Sequence, residues 1–152
     1  MKYTLYILYT LMAVMAGMTS CKKTDDIDQI FTSKTWYMTS GMIQGQPITG
    51  ENLKKFFTSD MTYVLNFGSG ALSGALSAGL SLNGTWAADG KTNDMKLQFT
   101  GSPTAENPFD SNLLNILRNV VRYSGDENIV TLYADGDNYI GFSSKRSAQS
   151  EY

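Results

Sequence analysis

Leucine and serine alternate along the stretch LSGALSAGLSLNGTW, and this pattern is the feature that most narrows the possible folds. The leucines and Trp86 all fall on even positions between 72 and 86, whereas the serines, Asn83 and Thr85 all fall on odd positions. A period of two residues is typical of a half-buried β-sheet. A helical stripe of leucines is the alternative, but glycines recur through the stretch and each would destabilise a helix by about 1 kcal/mol. We therefore predict strands, with bulges or a tight reversal at the glycines.

The same alternation recurs elsewhere in the chain. The segments 61–67 and 95–99 alternate apolar and polar residues, which predicts a strand in each. The segment 35–43 is rich in aromatic and β-compatible residues, which predicts the first strand. The segment 122–144 carries the turn sequences GDEN and ADGDN, which predict three further strands joined by reversals.

Two segments have helical periodicity instead. TGENLKKFF, residues 49–57, predicts a short helix after the first strand. Asp110 is a suitable N-cap for a second, amphipathic helix. The apolar stripe of that helix consists of Leu113, Leu117, Val120 and Val121. Together these elements predict one α+β unit, mainly β, in which an antiparallel sheet covers a helix.

The only cysteine, Cys21, follows a stretch with the properties of an export signal. One early lysine precedes an apolar segment of about 15 residues, which is too short for a bilayer span of roughly 20 residues. The residues Met18 to Ser20, directly before the cysteine, resemble the bacterial lipobox. The pattern predicts a lipoprotein signal peptide over residues 1–20, cleavage before Cys21 and lipidation of its sulfur. An ordinary secretory signal or an uncleaved membrane helix is the alternative.

The residues after the cysteine, KKTDDIDQ, are polar and cannot bury apolar surface. They predict a flexible tether over residues 21–30, followed by one domain over residues 31–145 and a polar tail over residues 146–152. At about 3.3 Å per extended residue, such a tether would hold the domain about 30 Å from the lipid. Lysine followed by paired aspartate also resembles the signal that exports Bacteroidetes lipoproteins to the outer face of the outer membrane. A solvated linker, with a periplasmic location, is the alternative.

The composition excludes several classes of function. Without residues 1–20 the chain carries three more acidic than basic residues, which argues against a nucleic-acid partner because such a partner requires a basic face. The chain has no histidine, so neither a Ser-His-Asp nor a Cys-His arrangement can form, and zinc loses a usual ligand. No motif for a catalytic, cofactor or metal site is present, and we expect a protein that is not an enzyme.

Four stretches carry a resemblance to a known family. TWYMTSGMIQGQPI, YVLNFGSG, LNGTWAADGKTNDMKLQF and LLNILRNVVRYSGDENIVTLYADGDNYIGF follow one another as in the META domain of HslJ-like bacterial envelope proteins, which this chain resembles. The resemblance implies a half-barrel of curved antiparallel sheet wrapped around one amphipathic helix. Leu80 to Asn83 stand where many META domains carry Gly-Cys-Asn, so any role of that cysteine does not transfer to this chain.

A second resemblance is to the small lipocalin-like lipoproteins of Bacteroidetes, which also open with a tryptophan-containing strand such as TWYMTSGMI. It implies an antiparallel barrel with more strands and fewer helical residues than the sequence predicts. The two resemblances differ in function, because a barrel can hold a ligand in its cavity and a sheet filled by a helix usually cannot.

Acidic residues in two loops are weak candidates for a metal site. Asp135, Asp137 and Asn138 in YADGDNY offer oxygen ligands of the kind that calcium takes, but the rest of a calcium loop and its terminal glutamate are missing. We interpret the stretch as a hairpin turn. Asp89 and Asp94 in ADGKTND are interpreted in the same way.

The alternating stretch offers the candidate binding face. Its odd positions are small and uncharged and would suit a strand of a partner, with an ordinary solvated face as the alternative. This face consists of Ser73, Ser77, Ser81, Asn83 and Thr85. Trp36 and Trp86 could line a ligand pocket or stack on glycans, but inward tryptophans on strands are more often part of a core.

These observations lead to one expected function and one alternative. We expect a non-catalytic lipoprotein, anchored through Cys21 in the outer membrane, that binds a protein or another envelope partner. The alternative is a lipocalin-like carrier of a small apolar ligand.

Overall fold

The computed structural model describes residues 24–49, 63–77 and 80–146, apart from the side chain of Ser77. Within these ranges the chain forms two helices and nine strands. The helices are α1 (Ile27–Phe31) and α2 (Pro108–Arg118). The strands are β1 (Thr35–Ile43), β2 (Gln46–Ile48), β3 (Val64–Phe67), β4 (Ala71–Ser77), β5 (Leu80–Ala88), β6 (Met95–Phe99), β7 (Val120–Gly125), β8 (Ile129–Ala134) and β9 (Tyr139–Ser143).

All nine strands belong to one antiparallel sheet, ordered β6-β5-β4-β3-β1-β9-β8-β7, with β2 paired to β1 outside this path. The two edge strands approach each other at one point. There the backbone N–H of Tyr123 donates to the carbonyl oxygen of Asn93 at 2.9 Å, and Asp94 pairs with Arg122 in a single bridge. The sheet is therefore a nearly closed half-barrel, and the prediction of a curved, mainly β fold is confirmed.

Helix α2 fills the inside of the half-barrel. It contacts β1, β4, β6 and β8, which belong to opposite parts of the wall. Its inward side chains are buried, and they are Leu113, Leu114, Ile116 and Leu117. Burial of a leucine or isoleucine side chain contributes about 1.5–3 kcal/mol, so helix and sheet stabilise each other.

Helix α2 begins earlier and ends earlier than its periodicity predicts. Asn107 is the N-cap, since its Oδ1 accepts a hydrogen bond from the N–H of Asp110 at 2.8 Å. Pro108 follows at the first helical position, where its fixed φ suits the helix. The prediction of Asp110 as the N-cap is therefore wrong. Val120 and Val121 lie in β7, and Val121 is 44% exposed, so their assignment to the helical stripe is wrong too.

The strand predictions agree well with the structure. The segments 35–43 and 95–99 are β1 and β6 with the expected bounds. The alternating stretch forms β4 and β5, which pair antiparallel with a register shift between Ala75 and Ser77, as expected for glycine-rich strands. The short helix predicted over residues 49–57 falls on a stretch that lies outside the described residues from position 50 onward.

Residues 24–34, here called the N-terminal strap, pack against one end of the half-barrel. The strap contains α1, which Asp26 caps by accepting a hydrogen bond from the N–H of Gln29 at 3.1 Å. The side chain of Phe31 is completely buried. Its ring lies 5.1 Å from the ring of Tyr123 and also contacts three other core rings, those of Trp36, Phe67 and Trp86.

Hydrogen bonds hold the start of the strap where the two edges of the sheet meet. The N–H of Asp25 donates to the carbonyl oxygen of Gly90 at 2.9 Å. The carboxylate of Asp25 accepts from Asn93 Nδ2 at 2.7 Å and from the hydroxyl of Tyr123 at 2.9 Å. The structure thus corrects the predicted tether for residues 24–30, which belong to the fold, while residues 21–23 lie outside the described part.

Candidate functional site

A row of uncharged polar side chains crosses four strands on the outer face of the sheet. Thr35 of β1 faces Asn66 of β3, and the hydroxyl of Thr35 donates to Oδ1 of Asn66 at 2.8 Å. Asn66 in turn faces Ser73 of β4. Ser73 faces Asn83 of β5. Because each residue is the register partner of the next, the four side chains form one continuous line.

This row lines an open cleft of about 790 Å³, which we call the polar cleft. The N–H of Thr100 donates to the carbonyl oxygen of Asn83 at 2.7 Å, and this bond brings the loop after β6 to the edge of the cleft. Gly68 and Gly84 also line the cleft, and a Cβ at Gly84 would clash with the carbonyl oxygen of Gln98 in β6. The volume lies within the range of about 300–1,000 Å³ that is usual for ligand sites.

Lys34 is the charged side chain among the residues that line the cleft. Its ammonium group donates to the carbonyl oxygen of Gln29 at 2.9 Å and to that of Glu127 at 3.0 Å. It also lies 5.7 Å from the ring centroid of Trp36. These contacts hold the ammonium group of Lys34 against backbone carbonyls, so the cleft presents mainly neutral amides and hydroxyls.

The structure divides the candidate binding face of the sequence into two parts. Ser73 and Asn83 line the polar cleft. Ser81 and Thr85 are exposed on the same outer face of β5 but lie outside the residues that line the cleft. Ser77 ends β4 opposite Leu80, and its side chain is outside the described part of the chain.

Thr35, Asn66 and Thr100 complete the cleft and are absent from the predicted face. Thr35 and Asn66 occupy outward positions of two predicted strands, so the sequence did indicate that their side chains face away from the core. Their alignment with Ser73 depends on the register between strands, which one sequence does not reveal.

The two acidic loops are turns, as predicted. Asn138 Oδ1 accepts a hydrogen bond from the N–H of Gln44 at 2.9 Å, and this bond holds the β8–β9 turn beside the β1–β2 turn. The carboxylate of Asp89 accepts from the backbone N–H groups of Lys91 and Thr92, which lowers the pKa of Asp89. Across residues 24–49, 63–77 and 80–146, no three acidic or cysteine side chains form a group that could hold a metal ion.

Both tryptophans belong to the core, as predicted. Trp36 is completely buried and Trp86 is 8% exposed. The indole N–H of Trp36 donates to the carbonyl oxygen of Phe31 at 3.1 Å, and that of Trp86 donates to the carbonyl oxygen of Gly68 at 2.8 Å. Neither ring is available to stack on a ligand.

Asp110 is a buried carboxylate in the first turn of α2. Its Oδ2 accepts a hydrogen bond from Asn107 Nδ2 at 2.9 Å, whereas its Oδ1 has no partner. Burial, together with a hydrogen bond to Asp110, raises the pKa of Tyr63. Since Asp110 is completely inaccessible to solvent, it cannot reach a substrate in this structure, and it contacts the N-cap residue Asn107.

The pKa of Tyr123 is raised to about 12, first by burial and then by the hydrogen bond that its hydroxyl donates to Asp25. Because the folded state holds this proton more tightly than the unfolded state, the resulting stability is complete below pH 10 and is lost as the pH rises to about 12. We expect the urea midpoint of unfolding to fall over this interval.

The Tyr123→Phe variant tests this prediction. It should be less stable at neutral pH by about 1–3 kcal/mol, since Asp25 loses a hydrogen-bond donor. It should also lose less stability than the wild type between pH 10 and about 12. Parallel losses in both proteins over that interval would contradict the assignment.

The interior contains a void of about 10 Å³ beside α2. Its lining is apolar and includes Leu113, Leu117 and Phe142. Such a void has room for about one water molecule.

None of the helices that the structure describes has the length and hydrophobicity needed to cross a bilayer.

Comparison with solved structures supports the fold. A DUF4847 family protein from Bacteroides vulgatus ATCC 8482 superposes with a TM-score of 0.64 and is 23% identical, over 80% of this chain and 99% of that chain. A structure determined by NMR is 16% identical over 75% of this chain and 91% of that chain, with a TM-score of 0.48. No curated protein matches the chain.

The sequence itself matches one family model over most of its length. The match covers residues 22–144, and the family is described as a domain of unknown function, DUF4847. This description names neither the META domain nor a lipocalin-like family, so those two resemblances stay predictions. The chain belongs to the DUF4847 family.

Proposed function

We propose that this protein is a non-catalytic lipoprotein, anchored through Cys21 in the outer membrane, that binds a protein partner of the envelope through the polar cleft. The observation that carries the proposal is the cleft itself, an open space of about 790 Å³ with an uncharged polar row across four strands. Amide and hydroxyl groups both donate and accept hydrogen bonds, which suits the peptide groups and neutral side chains of a partner.

Two features of the chain support the anchor. An early lysine, an apolar segment, a small residue and Cys21 follow one another in the order of a lipoprotein signal. The family match begins at residue 22, so the part of the chain that matches the family starts directly after the predicted attachment point. The face of the outer membrane on which the domain lies, surface or periplasmic, is left open by the proposal.

Two further features support binding without catalysis. The chain has no histidine, and the carboxylate of Asp110 is completely buried in the first turn of α2. The carrier alternative receives less support, because the void beside α2 measures about 10 Å³, whereas small-molecule sites measure about 300–1,000 Å³.

The anchor is tested by the Cys21→Ala variant. We expect the wild type to incorporate labelled palmitate and to sediment with membranes, because the cysteine sulfur and its freed amine are the atoms that are acylated. The variant should do neither. Asp28→Ala, a change at an exposed position of α1, serves as the control and should behave like the wild type. A wild-type protein without palmitate would refute the anchor.

The cleft is tested by photo-crosslinking in intact cells. A photoreactive residue at Asn83 should give one adduct of defined mass, and the same residue at Lys96, exposed on β6 outside the cleft, should not. Ser73→Arg, which fills the cleft, should reduce the adduct about tenfold or more, equivalent to about 1.4 kcal/mol of binding free energy. Identical adducts from Asn83 and Lys96 would show that the cleft is not the binding surface.

A further inference from the structure

The N-terminal strap fixes the position of the chain only a few residues after Cys21. Asp25 is held by three hydrogen bonds, one each to Gly90, Asn93 and Tyr123. Four residue steps separate Cys21 from Asp25, and an extended chain spans at most about 3.3–3.6 Å per residue. The Cα atoms of these two residues therefore lie within about 14 Å of each other.

Two turns share the position of the strap. The β5–β6 turn lies directly beneath it, because a Cβ at Gly90 would clash with the carbonyl oxygen of Asp25. The β7–β8 turn contacts it through Glu127, whose carboxylate accepts a hydrogen bond from Gln29 Nε2 at 3.2 Å. The strap and these two turns form one end of the half-barrel, which we call the strap end.

We propose that the strap end faces the lipid surface at close range, which rests on the proposed lipid anchor at Cys21. With the lipidated Cys21 at the membrane surface, the Cα atom of Asp25 lies at most about 14 Å from that of Cys21. This is roughly half of the distance that a free tether of nine residues would allow. The β8–β9 turn lies at the opposite end, separated by the length of β8, which is about 20 Å for six residues. The half-barrel thus has a near end and a far end.

The charge of the strap end determines how it meets the lipid. Exposed carboxylates crowd its surface, and they are Asp26, Asp28, Asp89, Asp94, Asp126 and Glu127. Lys91 is exposed among them, and Lys34 is partly buried. An anionic lipid surface repels such an end. The covalent anchor, and not charge, therefore holds the strap end near the headgroups, and the end lies against the surface without entering it.

The test uses the full chain, made in a bacterium that processes lipoproteins and reconstituted in phosphatidylcholine vesicles that carry a headgroup-linked quencher. Cys21 is the only cysteine of the chain, so once lipid occupies its sulfur an introduced cysteine is the one free thiol for a fluorophore. Lys91→Cys places the label at the strap end, and Asp137→Cys places it in the β8–β9 turn. Both positions are exposed.

The expected result is several-fold stronger quenching at Lys91→Cys than at Asp137→Cys. An insertion of about ten Gly and Ser residues between Lys23 and Thr24 should remove this difference, because a flexible linker frees the strap end from the membrane. Equal quenching at both positions in protein whose mass shows the lipid would overturn the proposed orientation. A mass without lipid would overturn the anchor, and with it the orientation, so the two failures are distinguished.

Discussion

Replacing Phe31 with alanine is expected to lower the free energy of unfolding by about 3–5 kcal/mol, the usual cost of removing a buried phenylalanine. The side chain is completely buried and its ring contacts four other aromatic rings of the core. Because a small domain has a total stability of only about 5–15 kcal/mol, the variant should be close to its unfolding threshold. Urea denaturation followed by tryptophan fluorescence measures the loss.

The Asp28→Ala variant is the matched control, since Asp28 lies in the same short helix and is exposed. Its unfolding free energy should stay within about 0.5 kcal/mol of the wild type. If Phe31→Ala cost no more than this control, the strap would contribute nothing to the fold, and the predicted tether would stand for residues 24–30.

Leu117→Ala is expected to lower the free energy of unfolding by about 2–5 kcal/mol. Leu117 is 1% exposed on the inward face of α2, and the alanine would enlarge the void of about 10 Å³ that Leu117 already lines. The cost combines lost apolar burial with a cavity that the surrounding wall fills only in part. The midpoint of thermal or urea unfolding reports it.

Ser111→Ala, at an exposed position of the same helix, is the control and should change stability by no more than about 0.5 kcal/mol. A small loss for Leu117→Ala would mean that the half-barrel does not need its helix as a filling. That result would revive the carrier alternative, because an interior that tolerates an empty space can accept a ligand there.

The strands were predictable because alternation along the chain encodes burial directly. Trp36 and Met38 in β1, and Met95 and Leu97 in β6, are buried at alternate positions. Their neighbours in sequence face outward, so the pattern fixes both the type of element and its inner face. No long-range information is needed for this step.

The strap was not predictable from its composition, which is dominated by charged residues. Phe31 stabilises it through four rings, three of which, those of Phe67, Trp86 and Tyr123, come from distant parts of the chain. A local signal did exist, since Asp26 is a good N-cap and Ile27, Ile30 and Phe31 have the i, i+3, i+4 spacing of a helical face. The neighbouring lysines and aspartates nevertheless made a flexible tether the prediction for this segment.

The start of α2 was predicted wrongly and the cleft was predicted only in part, for different reasons. Asn107 followed by Pro108 is a recognisable helix start, but Asp110 offered a competing cap nearer to the leucines. For the cleft, alternation identified Ser73 and Asn83 as outward residues. It could not align them with Asn66, because the register between strands is set by tertiary packing.

The strap contacts residues that lie far from it in the sequence, and this affects the order in which its contacts form. The hydrogen bond from Tyr123 to Asp25 connects residues 98 positions apart, and contacts this distant form late because the intervening loop must first be closed. Asp25 and Phe31 both contact Tyr123, so each of them lacks one partner until β7 exists. The full set of strap contacts therefore forms only after β7 has been made. Under the proposed anchor, this leaves an interval in which enzymes can act on Cys21 before those contacts are complete.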